Sequence, residues 1–129
     1  MGNGTELGRV RGLGSAREGA HHWWNQRVTA AANLFLMLWL LASIARLPNY
    51  DFATVHDWMA SAWAAIPMIL LIASVFYHFR MGLQVAIEDY LHDEGRVAAM
   101  LALNFFTVAS AAIAIFSILR IAFAAGAPV

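Results

Sequence analysis

The chain has 129 residues, of which 61% are hydrophobic and only 12% charged, with no formal net charge and a mean hydropathy of +0.63. That leaves too little polar surface for a water-soluble globule. With no cysteine, the chain by itself holds neither a disulfide nor an iron–sulfur cluster.

All eight basic residues are arginine, and Arg9, Arg11, Arg17 and Arg27 precede the first long apolar stretch. Residues 1–20, rich in Gly, Arg and Ser, show no periodic apolar face and read as an extended segment lying against something else, with disorder as the alternative. No apolar h-region occupies Met1 to Gln26, so a signal peptide is not expected. Glu6 stands where a myristoylation motif asks for Ser or Thr. His21, His22, Trp23, Trp24, Asn25 and Gln26 then form a collar of amphipathic rings suited to the headgroup level.

Three runs lack any Asp, Glu, Lys or Arg: Val28 to Ala45, Trp58 to Phe79, and Val97 to Leu119. A hydrocarbon core of about 30 Å takes roughly 20 helical residues, whereas barrel strands are shorter and alternate in polarity. The sequence therefore predicts an all-α fold of three transmembrane helices, at about 28–46, 58–87 and 97–120, within a single membrane-anchor domain covering 1–129. Between the first two, Arg46, Pro48 and Asn49 mark an exit, and Asp51, His56 and Asp57 read as a short loop. Trp58 and Trp63 make an aromatic anchor pair, and Pro67 either kinks the second helix or sits near its start. The second loop, Glu88 to Arg96, is dense in charge, and the alanines of the third helix permit close packing. Counting arginines near helix ends places the N-terminus and this second loop on the cytoplasmic side and the C-terminus outside.

Polar groups concentrate in the stretch from Tyr77 to His92. On a helix, His78, Gly82, Val85 and Asp89 fall within roughly 60° of one another, and His78 lies about 16 Å below Asp89. With Asp89 at the interface, His78 is near the membrane midplane, where an ionisable residue is expensive and marks a functional site. Three readings of His78 stand side by side: a neutral imidazole hydrogen-bonded to a neighbouring helix, a proton relay, and an axial ligand of a haem, for which Gly82 one turn away leaves room for a flat macrocycle. Arg80 points about 200° from His78 and must snorkel, pair with a carboxylate or meet a propionate.

The pattern His78, Gly82, Gln84, Val85 and Asp89-Tyr90 resembles the signature of the small hydrophobic membrane anchor subunit of succinate dehydrogenase, respiratory complex II. The upstream Arg11-Gly12-Leu13-Gly14-Ser15-Ala16, His21-His22-Trp23-Trp24 and Arg27-Val28-Thr29-Ala30 are similar to the N-terminus of its α-proteobacterial and mitochondrial branch. The resemblance implies that His78 is one axial ligand of a single b-type haem, the second coming from a histidine of another anchor subunit. It implies that Arg27 lies near the haem propionates, that Gly82 belongs to the haem site, and that Tyr90 and Asp89 belong to the site where ubiquinone is reduced. It further implies a bundle completed by the second anchor, with an iron–sulfur subunit and a flavoprotein as partners. FAD and the clusters reside only in those partners, the lipid bilayer surrounds the chain, and nucleic acid has no part. The implied setting is a multi-pass protein of the bacterial inner membrane, its N-terminus cytoplasmic and its C-terminus periplasmic. A fumarate reductase anchor and a scaffold without cofactor are the alternative functions.

Overall fold

The computed structural model describes Glu6 and residues 17–124. Among these the elements are α1 (Arg17–Ala45), α2 (Phe52–Ala60), α3 (Ala62–Tyr90) and α4 (Asp93–Ala124), with no strand, so the all-α expectation holds. Three of the four are long and apolar enough to cross a membrane. The expected extended N-terminal segment and the Arg11 to Ala16 motif lie outside the described residues, as does Met1-Gly2. The end of that segment, from Arg17, is already helix α1, and the aromatic collar from His21 to Gln26 is part of the same helix.

The loop expected around Asp51, His56 and Asp57 is instead the short helix α2. Asp51 caps it: its backbone is extended and its carboxylate accepts a 2.8 Å hydrogen bond from the Thr54 N–H, satisfying one of the amides that a helix start leaves without a partner. Hydrogen bonds from the Thr54 hydroxyl and then from its backbone N–H hold the Asp51 carboxyl below its ordinary range. Phe52, Val55, Trp58 and Met59 supply the apolar spacing, and the Trp58 ring stacks on Trp39 of α1 at 6.2 Å.

A single residue, Ser61, ends α2 and begins α3. Its hydroxyl and its N–H both donate to the Trp58 carbonyl, while its own carbonyl accepts from Ala64 and Ala65. The second span thus starts at Ala62 rather than Trp58, and Pro67 lies in its second turn. Only Leu91 and His92 separate α3 from α4, and this tight reversal puts Asp93 in the left-handed region, with φ of 53°. Aspartate tolerates that region better than most side chains.

The central helix is α3. It packs along α4 on one flank and α1 on the other, while no Cα of α1 comes within 8 Å of one of α4 among the described residues. The array is therefore open rather than a closed bundle. Of the most apolar stretch of each spanning helix, 0%, 17% and 11% is buried, so the faces these helices present are suited to lipid or to another membrane subunit. At 29 residues, α1 and α3 are each about 43 Å long, against a hydrocarbon core of about 30 Å. The surplus lets the polar ends, His21 to Gln26 on α1 and Gln84 to Tyr90 on α3, stand near the headgroups.

Candidate functional site

The antiparallel seam between α1 and α3 brings the polar half of α1 against the stretch around His78. The Thr29 hydroxyl lies 3.0 Å from His78 Nδ1, the Asn25 amide donates to the Tyr77 phenol oxygen at 3.4 Å, and the Ser74 hydroxyl donates weakly to the Thr29 carbonyl at 3.5 Å. These contacts place the start of α1 and the end of α3 on one side of the membrane. His78 is half-buried, held between the two helices rather than presented wholly to lipid.

A recess of about 240 Å³ opens beside this contact, lined by Trp23, Gln26, Arg27, Ala30 and His78. The fold therefore brings together an imidazole and a guanidinium that are far apart in sequence. Among the described residues Arg27 has no carboxylate partner; its Cζ lies 4.7 Å from the centroid of the Trp23 ring, a cation–π stack that leaves the fork of N–H donors able to meet an anion. Gly82, one turn beyond His78, faces open space: a Cβ built there would meet nothing within 4 Å. Close packing against this subunit's own described atoms therefore does not require a glycine at that position.

Asp89 and Tyr90 close α3 at its exposed end, beyond a Gln84 to Glu88 side-chain hydrogen bond of 2.9 Å. Tyr90 is 84% exposed, and neither residue shares the recess of His78 and Arg27. Arg80 turns the other way and donates from Nε to the Asn104 side-chain oxygen of α4. Its Nε partner is thus an amide, where the sequence had offered snorkelling, a carboxylate or a propionate.

A family model described as the succinate dehydrogenase/fumarate reductase transmembrane subunit matches residues 1–116. The chain belongs to that family. Among its relatives, the succinate dehydrogenase hydrophobic membrane anchor subunit of Rickettsia bellii is 30% identical over 105 residues, covering 81% of this chain and 84% of that protein. The anchor subunit of the same name from Paracoccus denitrificans is 28% identical over 111 residues, 86% of each chain. The succinate dehydrogenase membrane anchor subunit of Reclinomonas americana is 32% identical over 81 residues, 60% of this chain and 68% of that one. No solved structure matches significantly. The resemblance carried by the His78 to Tyr90 signature is thus borne out, in the α-proteobacterial branch that the N-terminal residues indicated.

Within this membrane-anchor family, three features of the chain fit a b-type haem. The imidazole of His78 offers one nitrogen after Thr29 engages the other, Arg27 offers a guanidinium in the same recess, and Gly82 leaves a gap where a side chain would otherwise project. Among the described residues no three His, Cys, Asp or Glu side chains stand together, and His78 is the one such side chain among those lining the recess.

Sequence reasoning gave no role to Thr29 or Asn33, and placed Asn25 only in the interfacial collar. The signal was present: His22, Asn25, Gln26, Thr29 and Asn33 recur at helical spacing and draw a polar stripe along α1. Two atoms of that stripe, His22 Nε2 and Asn33 Oδ1, are buried without a hydrogen-bond partner among the described residues.

Proposed function

We propose that this chain is the membrane anchor of a succinate:quinone oxidoreductase, holding one side of a b-type haem and forming part of the quinone-reduction site. The observation that carries the proposal is the shared recess of His78 and Arg27 beside the open flank of Gly82. His78 would hold the haem through one imidazole nitrogen, with a histidine of a second anchor subunit as the other ligand. Arg27 would hold the propionate carboxylates, which a guanidinium fork suits. When bound, a b-type haem supplies one-electron redox capacity within the bilayer.

Tyr90 and Asp89 serve the quinone. The Tyr90 phenol donates a hydrogen bond to a quinone carbonyl, and the Asp89 carboxylate holds a proton for delivery as ubiquinone becomes quinol. Their exposure at the end of α3 suits a site completed by other subunits. Succinate oxidation, with FAD and the iron–sulfur clusters, belongs to a flavoprotein and an iron–sulfur subunit docked on the cytoplasmic side. The arginine distribution supports an N-terminus in the cytoplasm of a bacterium and a C-terminus in the periplasm.

The test is the reduced-minus-oxidised spectrum of the purified complex. His78→Ala is expected to remove the sharp b-type bands while the complex remains assembled; full bands in that variant overturn the ligand assignment. Tyr90→Phe is expected to lower quinone reductase activity by roughly tenfold, the worth of one well-placed hydrogen bond, with haem content unchanged. Unaltered activity removes the phenol from the site.

A further inference from the structure

The Thr29 hydroxyl has one proton and three acceptors within reach: the Asn25 carbonyl at 2.8 Å, the Gln26 carbonyl at 3.1 Å and His78 Nδ1 at 3.0 Å. A threonine inside a helix commonly gives its proton to the carbonyl one turn back, and the Asn25 carbonyl is the nearest of the three. With the proton committed there, the hydroxyl meets His78 only through a lone pair. Nδ1 must then carry the ring proton and donate it to Thr29.

We infer that Thr29 is a positioning residue that fixes the tautomer and orientation of His78, leaving Nε2 as the unprotonated nitrogen for the haem iron. The inference rests on the haem reading above. Two further hydrogen bonds hold this part of the seam: Asn25 is tied to Tyr77, the neighbour of His78, and Ser74, one turn before His78, donates to the Thr29 carbonyl. The hydroxyl and the ring are therefore held in register by contacts on both sides of the pair. An acceptor at the remote N–H makes the imidazole more basic and restrains its rotation. Greater basicity favours the oxidised iron, so the bond to Thr29 lowers the reduction potential.

The experiment uses the whole complex with three substitutions, Thr29→Val, Thr29→Ala and Thr29→Ser. Valine keeps the shape and alanine does not, but both remove the acceptor. Each is expected to raise the haem midpoint potential, to shift the g values of the oxidised low-spin signal, and to weaken haem retention by about 10- to 100-fold. Serine is expected to restore wild-type values. Pulsed EPR of the unaltered complex labelled with ¹⁵N-histidine needs no variant, and it is expected to read the remote nitrogen as protonated and hydrogen-bonded. A potential and g values unmoved by Thr29→Val overturn the inference, as does a remote nitrogen without a hydrogen-bonded proton. A wild-type complex that contains no haem overturns the parent reading as well, and is told apart by its spectrum alone.

Discussion

The two flanks of α3 solve the same problem in different ways. Against α4, polar groups find their partners inside the chain: Arg80 has Asn104, and the buried Thr107 hydroxyl bonds to the Leu103 and Asn104 carbonyls of its own helix. Apolar contacts do the rest, with Phe79 against Phe106 at 6.5 Å and Leu71 and Leu103 buried. Against α1, the seam is more polar and unfinished: among the described residues His22 Nε2 and Asn33 Oδ1 are buried without partners, and the recess beside His78 is lined mostly by polar side chains, whereas the recess between α3 and α4 is lined mostly by apolar ones. A buried polar atom without a partner costs free energy, so an unfinished seam points to something outside the chain, while a completed one serves as scaffold.

The comparison is broken most severely by Asn104→Leu. It leaves the Arg80 guanidinium without its α4 partner inside the membrane, and the full chain in detergent is expected to lose about 1–3 kcal/mol of stability. Detergent-titrated unfolding followed by circular dichroism measures this; no loss means that the α3/α4 flank does not depend on the pair.

Asn33→Leu sharpens the contrast from the other side. Removing a buried oxygen that has no partner among the described residues is expected to make the full chain about 0.5–1 kcal/mol more stable in the same titration, and to lower the yield of assembled complex. A chain that becomes less stable shows that Asn33 is satisfied within the subunit, and the two flanks then differ less than described.

The smallest effect lies away from both flanks, at the cap of α2. The Asp51 carboxyl is held below its ordinary range, so its contribution is fully present above that range and is lost as the pH falls through the lowered value. Hydrogen exchange of the α2 amides is expected to quicken over that acidic interval while the α3/α4 amides stay protected. Asp51→Asn, whose side chain does not ionise and still accepts, should abolish the pH dependence.

The three spans were legible because an uncharged apolar run of about 20 residues matches the thickness of a bilayer and little else in a chain this short. The short helix α2 was not, since Asp51, His56 and Asp57 drew attention as charges although Asp51 is the cap and Phe52, Val55 and Trp58 carry the period. His78, Gly82 and Arg27 were legible as candidates from their types and from family likeness. That His78 and Arg27 share one recess was not, because it depends on how α1 and α3 are set against each other, and nothing in either helix alone states that register. The partner of Arg80 was hidden for the same reason: helical geometry gives the direction of a side chain, whereas Asn104 comes opposite it only through the tight turn at Leu91 and His92.

The separation of α1 from α4 among the described residues also bears on how the protein is put together in the cell. The hairpin of α3 and α4 packs along its length, whereas α1 rests on α3 and on the Trp58 ring of α2; under the proposed function its remaining face would be covered only when the haem and the second anchor subunit bind. In cells starved of porphyrin, α1 is therefore the helix expected to be released first to quality-control proteases.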